Sequence, residues 1–420
     1  MYFFYFYPLG LDRPQRRRPW LSWLLMAVMA VVFAWQHYAA DLLPMNPWAG
    51  VFYPGHGAPW TVVTAVFLHA DWFHLIGNLL YFQVFARPLE ARTGPWLFGA
   101  YFLILGVAGN LTHGLVSSLG LMGSAGTGVM GASGALAGLI AFSLIRFYNA
   151  RIQVAWWVFA PLMGQNRAGR TYVSLAAAVA VWLLLQLAQT LVAGETGSNI
   201  SFGAHLGGFA MGLVLALTMG QLREGRIETR RMRAMTYFNE GHYYAAVGSW
   251  LEYLEMVPED LEGVTGLARS RQMVGQTDQA SGGYRKVFKA WLDRGRVDLA
   301  LQIHDEACRS TGAAAFTPRE LAQVAYYREK SLDYQGAADA YQRLYEAYPD
   351  HSEGQRALVR LVVLYHGKLS DPRSGDWWLE RALTALPAGT WRDYLEKDFT
   401  GAAGPGEEAT AEPAGTPSAG

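Results

Sequence analysis

Hydrophobic runs of membrane length fill residues 1–222 and disappear after them. A helix needs about 20 apolar residues to cross a hydrocarbon core about 30 Å thick. Residues 20–35, 96–116, 172–192 and 202–222 meet or approach that length. Two shorter runs interrupt the series. Residues 72–85 carry His74 and Asn78, and residues 133–148 open on a serine. Counting both predicts six spans. The segment 153–163, with Trp156, Trp157 and Pro161, is too short to cross and too apolar for open solvent, so it is expected at the cytoplasmic interface, where tryptophan is favoured.

Charge tests this topology independently. Residues 1–222 hold ten Arg, no Lys and five acids, Asp12, Asp41, Asp71, Glu90 and Glu195. The arginines flank alternate ends of the spans: Arg13 and Arg16–Arg18 before the first, Arg87 and Arg92 after the second, four from Arg146 to Arg170 after the fourth, and Arg223–Arg233 after the sixth. Positive flanks face the cytoplasm, so both termini are expected there. The arginine-rich start could belong to a cleaved signal peptide, but its long apolar run and the further spans point to a retained anchor. The formal net charge of zero gives no reason to expect a nucleic-acid partner. The single Cys308 excludes an internal disulfide and a cysteine-rich metal site.

The fourth run reads Gly131-Ala-Ser-Gly-Ala-Leu-Ala-Gly138 at its start. Small residues four apart, Gly134 and Gly138, let transmembrane backbones approach closely, and packing alone is one explanation of this stretch. The run from Ser133 to Tyr148 is only 16 residues, about 24 Å at 1.5 Å per residue. Its start therefore lies below the outer surface, behind a loop with Gly120, Gly123, Gly126, Gly128 and Gly131. The exposed amides of such a loop need a wet, protein-walled cavity. Free N–H groups and the dipole at that helix start favour developing negative charge.

The sixth run supplies His205, with Gly208 and Gly212 at close-packing spacing. A histidine inside a span is a functional candidate, although a packed, hydrogen-bonded histidine would also fit. Facing glycines on the two runs bring Ser133 and His205 within reach of each other, as a nucleophile and the base that activates it. His74 and Asn78, four apart, share a helical face. With the Ser133 N–H they can donate to an oxyanion, or simply hold helices together.

Gly131-x-Ser133-Gly134, His74-x-x-x-Asn78 and Ala204-His205-x-x-Gly208-x-x-x-Gly212 together resemble the rhomboid intramembrane serine proteases over about residues 15–222. The resemblance implies a six-helix bundle that hydrolyses peptide bonds in or beside transmembrane segments of other proteins, often after a small residue. Ser133 would be the nucleophile, His205 the general base and acid, and His74 and Asn78 the oxyanion donors, with no metal and no cofactor. Two departures stand out. The aromatic that many relatives carry four positions after the serine, stacked on the histidine, is Ala137 here, and the Trp-Arg pair of their first outer loop is Trp60-Thr61. His37, His56, His69, Asn110 and His113 have no assigned role and are expected to be structural. No His-Glu-x-x-His occurs, which argues against a zinc protease.

After Arg233 the chain is charged and helical in period. Ala246, Trp250 and Leu254 return as Ala280, Tyr284 and Phe288, an offset of 34 residues, and Ala337, Tyr341 and Tyr345 repeat the internal spacing. This resembles tetratricopeptide repeats, with about four units over 234–390, weaker ones lying around Ala300 and Ala382. Such arrays bind peptides or proteins on a curved face. The expected fold is all-α: a cytoplasmic segment 1–18, a six-span membrane bundle 19–222, a basic linker 223–233, an α-solenoid 234–399 and a disordered tail 400–420. The expected partners are the lipid bilayer, transmembrane protein substrates and a protein or peptide held by the repeats. The expected location is a bacterial-type plasma membrane. The rival expectation is a non-catalytic scaffold of the same fold that recognises transmembrane helices. A transporter is third, since no span buries a strongly charged residue.

Overall fold

The structure, a computed structural model, describes residues 3–13, 17–40, 46–56, 58–121, 128–160, 165–196, 202–312 and 315–400. The chain forms two compact units, Met1–Thr229 and Arg230–Gly420.

In the first unit a strand, β1 (Phe3–Leu11), precedes α1 (Trp20–Tyr38). A short α2 (Thr61–Thr64) leads to α3 (Trp72–Thr93), α4 (Pro95–Ser118) and α5 (Ser133–Arg146). A hairpin of β2 (Arg151–Ala160) and β3 (Gln165–Ser174) joins α5 to α6 (Leu175–Thr196). Then follow α7 (Phe202–Thr218) and α8 (Gln221–Asn239). Each of the six apolar runs contains one main helix, but residues 172–174 still belong to β3 and the run 202–222 breaks after Thr218, its last two residues starting α8. Among the described residues α1 and α4 are individually long and apolar enough to cross a membrane. The number rises to four if the bent pairs, α2 through Phe67 with α3 and α7 with α8, each count as one span. α5 and the first part of α6 are shorter apolar helices.

Local chemistry sets the boundaries. The Asp71 carboxylate accepts from the His74 N–H at 2.9 Å and starts α3. Gly94, at φ +84°, ends it, and Pro95 opens α4 at the position where a missing N–H costs nothing. The carboxylate of Glu90, 1% exposed, accepts from the Leu21 N–H, the Ser22 N–H and the Ser22 hydroxyl at 2.6–2.9 Å. A buried anion is thereby satisfied by the free amides that begin α1. At the contact of α3, α4 and α5, Phe82, Phe98, Phe102, Leu105 and Phe142 are fully buried, and the Phe82 and Phe102 rings meet edge to face at 5.4 Å.

The mostly helical fold agrees with expectation; the three-stranded antiparallel sheet β1-β2-β3 does not follow from the helical periodicity. Its signal is period two: Ile152, Val154, Trp156 and Val158 alternate along one face of β2. The segment expected at the interface thus forms a strand as far as Ala160, and residues 161–164 lie outside the described residues. Ile152 is buried in the bundle core, with Leu11 and Val154 packed against it. Residues 223–233, expected as a linker, run inside α8, a stretch of Arg, Glu and Met that favours helix.

In the second unit helices follow one another as hairpins: α9 (Tyr243–Met256) and α10 (Leu261–Met273), α11 (Thr277–Asp293) and α12 (Val297–Thr311), α13 (Pro318–Lys330) and α14 (Tyr334–Ala347). Then come α15 (Ser352–Val363), α16 (Pro372–Ala385) and α17 (Thr390–Phe399). Ala246, Ala280 and Ala337 are buried on α9, α11 and α14, with Trp250, Tyr284 and Tyr341 one turn on. Ala300 and Ala382 are equally buried. Asp260 caps α10, and Thr317 with Glu320 forms a reciprocal capping box on α13. The tail 401–420, expected to be disordered, lies outside the described residues.

Candidate active site

α5 starts at Ser133 itself, so the serine occupies the first turn, where backbone N–H groups have no intrahelical acceptor. The chain reaches it through Gly131 at φ +116°, a conformation that strains any residue with a side chain. A second constraint acts there. A Cβ on Gly131 would sit 2.6 Å from His74 Nε2, 2.7 Å from His74 Cε1 and 3.6 Å from Asn78 Nδ2. Only glycine lets both side chains of α3 close on the start of α5. His74 and Asn78 therefore close on Gly131, two residues before Ser133.

The two α3 side chains present donors. Asn78 is 7% exposed, and its amide Nδ2 has no hydrogen-bond partner among the described residues. Leaving a buried donor unmade costs about 1–3 kcal/mol, so an acceptor arriving there is stabilised from the outset. The Ala70 N–H points at His74 Nδ1 at 3.4 Å. In a neutral ring that places the proton on Nε2, the atom beside Gly131.

Glycine also fixes the opposite wall. A Cβ on Gly134 would lie 3.3 Å from the Ala204 carbonyl oxygen, and one on Gly138 would lie 2.8 Å from that of Gly208. In return, a Cβ on Gly208 would overlap the Gly134 carbonyl and one on Gly212 the Gly138 carbonyl. α5 and α7 thus touch backbone to backbone along two successive turns. Gly109 of α4 joins them, its absent Cβ replaced by the Ala204 carbonyl at 2.8 Å and the Gly134 Cα at 3.2 Å. Sequence reading passed over Gly109, which has no motif; only the three-helix contact gives it meaning.

Gly134 follows Ser133 and Ala204 precedes His205, so the two candidate residues flank this backbone contact, and both are half-buried. No hydrogen bond joins them among the described residues. His205 Nδ1 lies instead 2.7 Å from the side-chain oxygen of Gln186 on α6. Apo catalytic contacts are commonly long and tighten with substrate. Ala137, the position where a stacking aromatic was expected to be missing, is buried in the core. The Trp182 ring of α6 lies 6.3 Å from His205.

Three of the remaining polar residues have structural partners, His113 among them, with the Ser117 hydroxyl 3.4 Å from its Nε2. His37 bonds the Phe33 and Ala70 carbonyls at 3.2 and 3.1 Å, and the Asn110 amide donates to the Val62 carbonyl at 2.8 Å. No group of three or more His, Cys, Asp or Glu able to hold a metal occurs among the described residues.

Known proteins resemble this part of the chain. The family described as Rhomboid domain matches residues 56–222, which include every residue of the site. Rhomboid-like protein 11, chloroplastic, of Arabidopsis thaliana is 27% identical over 48% of this chain and 66% of its own length. Rhomboid-like protease 3 of Toxoplasma gondii is 30% identical over 37% of this chain and 50% of its own. Rhomboid-type serine protease 2 of Emericella nidulans is 28% identical over 37% and 26%. The match thus spans less than two thirds of each relative. Residues 56–222 thus match a rhomboid domain, and the relatives that cover this part of the chain carry rhomboid names.

Proposed function

We propose that the chain is an intramembrane serine endopeptidase that cuts peptide bonds in or beside transmembrane segments of other proteins. The observation that carries this reading is the unpaired, buried Asn78 Nδ2 next to His74 Nε2, both against the start of the Ser133 helix. A buried donor without a protein partner, set beside a second donor at the start of the serine helix, is the arrangement that electrostatic catalysis requires.

In this reading His205 Nε2 takes the Ser133 hydroxyl proton as Oγ attacks the scissile carbonyl carbon. The charge that develops on the carbonyl oxygen is met by Asn78 Nδ2–H, His74 Nε2–H and the free Ser133 N–H. The imidazolium then returns its proton to the leaving amine as the C–N bond breaks. Water, deprotonated by the same imidazole, hydrolyses the acyl-enzyme. All groups are neutral at rest, which suits a site among apolar helices, where a standing charge is costly.

The membrane in this reading is a bacterial-type plasma membrane, and arginine placement supports an orientation with both termini in the cytoplasm. The hairpins of the second unit, with their 34-residue recurrence, support a cytoplasmic repeat domain that binds a protein or peptide, either a recruited partner or a substrate tail.

Fluorophosphonate labelling of the detergent-solubilised protein tests the nucleophile. Labelling of wild type and none of Ser133→Ala or His205→Ala, with all three folded, is expected. A folded wild type that neither labels nor cleaves any transmembrane substrate contradicts the proposal and favours the scaffold.

A further inference from the structure

Missing its usual stacking aromatic, His205 needs another support, and α6 provides one that no motif announces. Gln186 Oε1 lies 2.7 Å from His205 Nδ1. One turn earlier Trp182 stacks on Phe209 at 5.9 Å and 28°, while Phe209 lies one turn beyond His205. Residues 182 and 186 of α6 thus face residues 209 and 205 of α7 as two matched pairs. We infer that Gln186 is a positioning residue that fixes the tautomer and orientation of His205. The inference rests on the protease reading for its purpose but not for its geometry.

The chemistry is selective. If the amide oxygen faces the ring it accepts from Nδ1–H, and Nε2 keeps a lone pair. The flipped amide would donate to Nδ1, put the proton on Nε2 and leave no base for a serine. Only the first arrangement is compatible with proton abstraction by Nε2. When the ring becomes imidazolium, the Nδ1–H bond to Gln186 turns charge-assisted and strengthens, so its contribution grows in the transition state. A carboxylate would serve the same purpose, but an amide does so without placing a fixed charge in an apolar span.

Two measurements on the full-length protein in proteoliposomes separate this inference from the protease reading. The first needs no activity: 15N spectra of histidine-labelled protein, with His205 assigned by difference from His205→Ala. A protonated Nδ1 and unprotonated Nε2 in wild type are expected, and their loss in Gln186→Leu. A protonated Nε2 in wild type overturns the inference. The second is turnover of a transmembrane substrate, with Ser133→Ala as the blank. Gln186→Leu is expected to lower kcat on the order of 10- to 100-fold, part of the 10²–10⁴ a general base supplies, with KM and melting temperature little changed. Gln186→Glu is expected to recover most of that loss and to move the acidic limb of the kcat profile upward. Gln186→Leu with wild-type kcat and pH profile overturns the inference while leaving Ser133-dependent cleavage intact. Cleavage equal to the Ser133→Ala blank defeats the protease reading alone, since the tautomer readout stands without it.

Discussion

At the scale of single residues, the site is defined by what is left unfilled. Asn78→Ala removes a buried donor that has no partner at rest, so it should not destabilise the fold and removes a desolvation cost. It should nevertheless lower kcat by about 10²- to 10³-fold, as loss of one oxyanion donor does. Thermal unfolding together with turnover checks both parts, and a destabilised but fully active variant would mark Asn78 as structural. Gly131→Ala has the opposite profile. Its Cβ meets His74 at 2.6 Å and its φ is +116°, which together cost on the order of 1–3 kcal/mol. A lower melting temperature and lost labelling are expected in the same variant. Ser133, His205, His74 and Asn78 stand out in the sequence as candidates because each breaks an apolar span. Gln186 breaks one too, within Leu183-Leu-Leu-Gln186-Leu. What sequence lacks is the rotation of α6 about its axis, which decides whether that amide meets a histidine or lipid.

At the scale of elements, the boundaries follow from hydropathy and caps, and the surprises come from contacts. The opening of α5 on Ser133 was legible because a glycine-rich loop ends there. The sheet was less so, because Ile152, Val154, Trp156 and Val158 alternate within a run that also looks merely apolar. The docking of α8 depends on charge. Glu228 bonds Arg92 of α3, with Nε at 3.0 Å, and Arg146 of α5 at 2.8 Å, and its side chain is 11% exposed. Burial alone would raise its carboxyl, but hydrogen bonds and charge from Arg92 and Arg146 outweigh that and hold it below the usual range. A lowered carboxyl stabilises the fold above the ordinary glutamate range, and that stability is lost as pH falls through the depressed value. Glu228→Gln leaves two buried guanidiniums unpaired and should cost about 3 kcal/mol at neutral pH. Melting curves from neutral to acidic pH should show the gap from wild type closing as the solution acidifies. A gap independent of pH would remove the ion triad from the account.

At the scale of the whole molecule, the chain joins a membrane unit that holds the candidate chemistry to a helical unit that holds none of it. Their division was visible in the charge distribution, since residues 1–222 hold ten Arg, no Lys and five acids. Deleting residues 234–420 should leave fluorophosphonate labelling of Ser133 within a few-fold while changing which substrates are cut. Loss of labelling on deletion would make the second unit part of the catalytic apparatus. The most direct test of the central claim is cleavage of a purified transmembrane substrate in proteoliposomes by wild type and Ser133→Ala. A product from wild type, cut in or beside the membrane span, and none from a folded Ser133→Ala are expected. Equal cleavage by both proteins, or an intact substrate panel with a folded wild type, would contradict that claim.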